Sequence, residues 1–597
     1  MEDPNISKEN SVKNAIKKTI NKNFIQFSQL KVLIIESSSG LKKIMRHALM
    51  EIGFSSGNIT KCESTIQAKN ICKNASFDIY LVNLNLEDSD KGRELVHKLY
   101  EDQLIPCKSV MCILTSDNSR ATVLSTIEKK PDEYIVKPFS TKQLKVRIYR
   151  AYQKKCDLLD IYEAIEVQDY SAIVNSCYNH LGTDSIHSLD IRIMLAEALL
   201  KLEKYDEAEI VIREALNFSD AFSYHIELGK ILYYREDYED AIKEYTTAIK
   251  SNNLLIEPYK GLFHTYMKMN DLENASDILA DAIKISPQSS SLLHMQLEFA
   301  LKKRDYSTVK EDFNSLLDLH KYDSQKLCQL LTGFVQAEIQ YVTSSPDYHS
   351  MDKLSKHVNA VLSKNEQFIK LPREKFDYKL FKSISNSRVD IAMGDISRAK
   401  KQLYKTLSSY GENLLKQNEA MISNIVLSLW QLGDYEYAEE LFNNHVNKNK
   451  IDPLISSFIN TYKTDPKIDE KRTKYQDLNQ KGIKFYKKEK YEMALDFFNE
   501  ALKKSPSNTN ATINKAQALL KLASSVSTPE NKRKTYIAEC KDMLFILKSM
   551  FLSPNLVKRV DAINDELTTL LQPSFSRRKI RNNEGNTDPA VGKTNKK

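Results

Sequence analysis

The chain has 597 residues, 41% of them hydrophobic, with 87 Lys/Arg against 79 Asp/Glu. That length calls for more than one domain, and 14 Gly with 15 Pro favour long helical arrays over β-rich folds. No apolar run reaches the roughly 18 residues of a membrane span, the N-terminus lacks the shape of a signal peptide, and none of the eight cysteines is spaced as C-x-x-C or for zinc. A cytoplasmic protein with reduced core thiols is the expectation.

Residues 1–29 are polar and rich in Lys and Asn, and read as a flexible arm. From Leu30 short apolar runs alternate with amphipathic stretches. Lys31–Ile35 (KVLII), Ile59–Cys62, Ile79–Leu84 (IYLVNL), Ser109–Leu114 (SVMCIL) and Tyr134–Val136 read as strands. Gly40–Ile52, Ser64–Asn74, a segment near Arg93–Glu101, Arg120–Lys129 and a stretch opening at Thr141 read as helices. Five strands alternating with five helices over 30–150 predict an α/β domain, a doubly wound parallel sheet of the flavodoxin-like kind, with its chemistry at the carboxyl ends of the strands. The last helix continues through LKVRIYRAYQKKCDLLDIYEAI without Gly or Pro. It is expected to merge with the first helix of the next region and couple the two rigidly.

An all-α helical solenoid is expected over 151–572. In Leu254–Pro287, Tyr259, Leu262, Phe263 and Tyr266 share one helix face, and Ala275, Ile278, Leu279 and Ala282 share another. The unit recurs: Ala208 to Ala241 is 33 residues, Ala241 to Ala275 is 34, and Ala275 to Val309 is 34. The period is lost over 322–373, returns at Phe376–Leu407 and Glu419–Asn447, and is clear again at Tyr475–Pro506 after a spacer at Ile451–Lys471. Two or three closing helices follow. Residues 573–597 carry seven Lys/Arg against two Asp/Glu and read as a disordered basic tail.

Two resemblances follow from these residues. IIESSSGLKKIMRHALMEIGF, FDIYLVNLNLEDSDKGREL, ILTS and YIVKPFS resemble the response-regulator receiver domain, closest to the single-domain chemotaxis type. The 34-residue unit resembles the tetratricopeptide repeat. The receiver resemblance implies two adjacent acids after the first strand, where this chain has Glu36 and Ser37. It implies a phosphoacceptor aspartate at the end of the third strand, where Asn83 stands. It also implies a hydroxyl at Thr115, an aromatic switch at Tyr134, and Lys137 followed by a cis Lys137-Pro138 bond. A carboxamide is a far poorer nucleophile than a carboxylate, and Ser37 and Asn83 remove two anionic ligands that magnesium would use. No cofactor is expected, magnesium included. Lys137 is expected to bond Asn83, Glu36 or backbone oxygens.

The repeat resemblance implies a concave groove for other proteins or peptides. Its candidate lining is Lys230, Tyr233 and Tyr234, then Lys260, His264, Met267 and Lys268, then Asn479, Tyr486 and Lys487. The expected function is a non-enzymatic, phosphorylation-independent regulator in phosphorelay signalling, acting as a scaffold, with a signalling partner on the receiver face. Two alternatives stand beside it: phosphorylation at another acceptor such as Asp88 or Asp90, and weak nucleic-acid binding through the tail RRKIRNN. No catalytic triad or Walker loop is present.

Overall fold

A computed structural model describes residues 26–572, apart from 85, 87–91, 93–94, 97–98, 101, 117–130, 184, 288, 322, 345–347, 444–455, 457–458, 461–465, 549–551 and 553. The expectations for the arm before residue 26, for Asp88 and Asp90, for the Arg120–Lys129 helix and for the basic tail lie outside the described residues. The chain divides into two compact units, residues 1–292 and 293–597.

The first unit opens with a five-stranded parallel sheet. Its strands are β1 (Val32–Ile35), β2 (Ile59–Cys62), β3 (Ile79–Asn83), β4 (Val110–Thr115) and β5 (Glu133–Val136), in the order β2-β1-β3-β4-β5. The central strands β1, β3 and β4 are almost continuously apolar and are buried on both faces. On one face Val32, Ile34, Ile79, Leu81, Val110, Cys112 and Leu114 pack with Met45 and Leu49 of α1 (Ser39–Ile52) and Leu144 and Ile148 of α3 (Thr141–Asp157). On the other, Leu33, Ile35, Tyr80, Val82, Met111 and Ile113 pack with Ala68 and Cys72 of α2 (Thr65–Asn74) and with Leu95, Val96 and Leu99. Serines set the helix starts. The Ser38 side chain accepts from Leu41 N, Ser64 from Gln67 N, and Ser140 forms a reciprocal capping box with Gln143.

The helix read as unbroken from Thr141 is corrected here. It kinks at Leu158, whose φ and ψ are −114° and 27°, and resumes as α4 (Leu159–Glu166). The kink has a physical cause on each side. Leu158 is fully buried in the core of the first repeats. Lys155, one turn earlier, is tied to the α/β domain: its Nζ donates to the Cys107 carbonyl at 2.8 Å and pairs with Asp132 at 3.1 Å, while also lying 4.0 Å from the Tyr162 ring centre of α4.

The helices that follow in this unit are α5 (Tyr170–Leu181), α6 (Ser188–Lys201), α7 (Tyr205–Phe218), α8 (Phe222–Tyr234), α9 (Tyr238–Ser251), α10 (Ile256–Lys268) and α11 (Leu272–Ile285). Ala208, Ala241 and Ala275 are fully buried where paired helices meet. The turns repeat as well: Glu203, Glu236 and Asn270 take positive φ of 60°, 69° and 58° at the same point of successive units.

The second unit is helical throughout its described residues. Its irregular part holds two helices longer than the repeats use, Ser324–Ser344 and Tyr348–Glu366. Pairs return with Tyr378–Ala392 and Ile396–Tyr410, then Glu419–Leu432 and Tyr435–Leu441, then Pro466–Lys487 and Tyr491–Lys504. The last stretch of the expected spacer is therefore helix, from Pro466 onward. Thr509–Ser524, Glu530–Lys548 and Pro554–Leu571 follow. Among the described residues no helix is long and apolar enough to cross a membrane. Six cysteines are buried, but Cys107 is half-buried and Cys156 exposed, which corrects the expectation of core thiols at those two positions.

Candidate functional site

The carboxyl ends of β1, β3, β4 and β5 bring the predicted pocket residues together. Glu36 follows β1 and is 1% exposed. Its Oε1 accepts from Ser38 N at 3.0 Å, and its Oε2 accepts from Lys137 Nζ at 3.0 Å. Lys137 leaves β5 with its N–H donating to the Thr115 carbonyl at 2.8 Å, and the Lys137-Pro138 bond is cis. Asn83 and Thr115 end β3 and β4 and are both buried. Tyr134 is half-buried against the Leu33, Ile35 and Val82 side of the sheet. Gly92 packs its backbone onto the end of β3, where a Cβ would fall 2.2 Å from the Asn83 carbonyl oxygen.

Sequence reasoning missed a second charge pair at this edge. Lys42 of α1, 5% exposed, donates to the Ser37 carbonyl at 3.4 Å and pairs with Glu63, which follows β2. The hydrogen bond and charge of Lys42 hold the Glu63 carboxyl below its ordinary value. A signal was available: Lys42 shares the buried stripe of Met45, Leu49 and Ile52, and a lysine there needs an acceptor.

Among the described residues, the carboxylate of Glu36 is engaged by Lys137 and Ser38, Ser37 and Asn83 are neutral, and Lys42 places a cation against the Ser37 backbone.

The groove candidates fall in two places. In the first unit, Tyr234 is exposed and stacks on Tyr205 with ring centres 6.4 Å apart, while Tyr233 is half-buried against Tyr234 and Tyr238. His264 is exposed and edge-on to Phe263 at 5.5 Å; Lys268 is exposed; Lys260 and Met267 are half-buried. Lys230 is no solvated cation: its Nζ donates to Glu227 at 2.8 Å and to Glu257 at 2.7 Å. In the second unit, Tyr486 is half-buried against Tyr491, and Lys487 is exposed. Asn479 is corrected. It is buried, donates to the Tyr475 hydroxyl at 3.4 Å and accepts from Asn514 at 3.0 Å, so it braces adjacent helices.

The response regulator receiver domain family matches residues 32–149. This segment is a receiver domain. The tetratricopeptide repeat family matches residues 189–221 and 264–289, so the receiver is followed by repeats of a protein-interaction type. Among similar proteins are chemotaxis protein CheY-3 of Vibrio cholerae, 24% identical over 125 residues, and chemotaxis protein CheY1 of Helicobacter pylori, 23% identical over 120 residues. The two alignments cover 21% and 20% of this chain, and 93% and 94% of those proteins. A similar solved structure is Naa15/Naa10 bound to HypK-THB, at 15% identity over 66% of each chain with a TM-score of 0.29.

Proposed function

We propose that this response-regulator chain signals by binding rather than by aspartyl phosphorylation, with the receiver as a docking module and the repeats as a scaffold for protein partners. The observation that carries the reading is the state of the receiver pocket. The acceptor position holds Asn83, and Lys137, the cation that would meet a phosphoryl group, is bonded to Glu36. An amide at the acceptor position cannot form the acyl phosphate, and a pocket whose carboxylates are matched by its own lysines has little call for magnesium. No catalysis and no metal are assigned to the chain. On this reading partners engage the repeats through the groove candidates, of which Tyr234, His264 and Lys268 are exposed.

Two experiments test the reading. The full-length protein, incubated with magnesium and labelled acetyl phosphate or a cognate histidine kinase, is expected to take up no acid-stable, base-labile phosphate; uptake on residues 32–149 would refute phosphorylation independence. Co-purification from the native host is expected to recover protein partners that Tyr234→Ala with His264→Ala releases. Retention of every partner by that variant would refute the groove assignment.

A further inference from the structure

The boundary between the two compact units falls at residue 292, within the repeats, and not at the end of the receiver. Receiver and first repeats therefore belong to one packed body, and the last turn of α3 is where they meet. Leu144, Ile148 and Ala151 of that helix lie in the receiver core. Leu158, just beyond it, lies in the core of the first repeats, and Cys107, from the receiver segment before β4, packs against that same core.

Three residues of this turn carry polar contacts across the junction. The Lys155 ammonium bonds the Cys107 carbonyl and Asp132 on the receiver side and faces the Tyr162 ring of α4 on the repeat side. Asp132 in turn accepts from Met111 N of β4 at 2.8 Å, so the pair reaches the central sheet. Lys154 pairs with Asp190 of α6 at 2.7 Å, and Asp157 meets His187, just before α6, at 3.2 Å. The Lys155 and Asp132 side chains are only 11% and 20% exposed, so separating the junction would leave both charges poorly solvated. A stacked repeat buries its faces against its neighbours, and the first of an array has a neighbour on one side only. Here the first pair is α4 and α5, tied to each other by Asp160 and His180 at 2.8 Å, and the receiver stands where a terminal repeat would.

We propose that the receiver is the N-terminal cap of the repeat array, with Lys155 as the bracket that makes the receiver and the first repeats open as one unit. The proposal does not depend on what either part binds. Its consequence for signalling is mechanical. A partner that tightens or loosens the receiver changes the stability of α4 and α5, and so of the start of the array, without touching the repeats.

Amide hydrogen–deuterium exchange of the full-length protein, read by mass spectrometry, tests the proposal. Lys155→Met keeps the apolar stem and removes the ammonium. Asp132→Asn removes the charge on the receiver side and keeps an amide oxygen for the Met111 N–H. Each is expected to speed exchange of α4 and α5 about tenfold, although position 132 lies outside the repeats. Lys145→Met makes the same change at an exposed position of α3 and is expected to leave exchange of α4 and α5 unaltered. If Lys155→Met fails to fold, Asp132→Asn decides. Unchanged exchange of α4 and α5 in Asp132→Asn, acceleration confined to residues 107–115 and 150–158, or equal acceleration by Lys145→Met would each overturn the proposal.

Discussion

Lys137 Nζ lies 3.0 Å from Glu36 Oε2, joining the end of β5 to the end of β1 across the pocket of the receiver. The carboxylate is 1% exposed and its other oxygen is held by Ser38 N–H. Removing one member of such a buried pair leaves a charge without its partner, which costs about 3–5 kcal/mol. Lys137→Met is accordingly expected to destabilise the receiver by about 2–4 kcal/mol, discounted because the lysine retains some solvent contact. Urea unfolding followed by circular dichroism measures it, and a change within experimental error would show that the pair is not structural.

If the receiver acts without phosphate, as proposed, substitution of two pocket residues should restore the chemistry. Asn83→Asp restores a nucleophile, and Ser37→Asp restores an anionic neighbour to Glu36. The double variant is expected to acquire magnesium-dependent phosphorylation from acetyl phosphate, which phosphate-affinity electrophoresis resolves. Each single variant is expected to remain unlabelled or nearly so, since one change supplies the acceptor and the other the metal site. Strong labelling of Ser37→Asp alone would place the acceptor elsewhere.

Close approach of α10 to α9 depends on Gly261, where a Cβ would lie 2.4–2.7 Å from atoms of the Tyr245 ring. That ring is buried. Gly261→Ala is expected to cost about 1–3 kcal/mol through overpacking, despite the better helix propensity of alanine. Combining it with Tyr245→Leu should recover part of the loss, because a smaller side chain leaves room for the methyl group. Thermal melts of the two single variants and the double variant read the coupling; strict additivity would disprove the contact.

Asp312, on the helix Tyr306–Leu319 of the second unit, is 4% exposed and its Oδ2 has no hydrogen-bond partner among the described residues. Burial first, then the charges of Glu311 and Asp305, push its carboxyl up from 3.8 to about 7. The folded chain therefore holds a proton there that the unfolded chain releases near 3.8. Stability from this group is fully present below the unfolded value and is lost as pH rises through the folded one, a loss of about 2–4 kcal/mol by pH 8. Asp312→Asn stays neutral throughout and is expected to flatten that decline. Denaturant midpoints at pH 5 and pH 8 decide, and an unchanged slope in the variant would remove Asp312 as its source.

Much of the architecture was legible because it is written in local period. Apolar runs four to six residues long specify strands buried on both faces, and recurrence of a small residue at Ala208, Ala241 and Ala275 marks where paired helices touch. The residues at the ends of β1 and β3, Glu36, Ser37 and Asn83, are likewise read directly from the sequence. Tertiary structure decided which charges meet. Nothing in the local pattern of α1 names Glu63 as the partner of Lys42, or Cys107 and Asp132 as the anchors of Lys155, because each contact is set by how a helix packs on a sheet or loop distant in sequence. The same cause explains the kink at Leu158, the burial of Asn479, and the pairing of Lys230 with two carboxylates. Spacing along one helix places a side chain on a face; only the neighbouring helix determines whether that face meets water, an amide or two carboxylates.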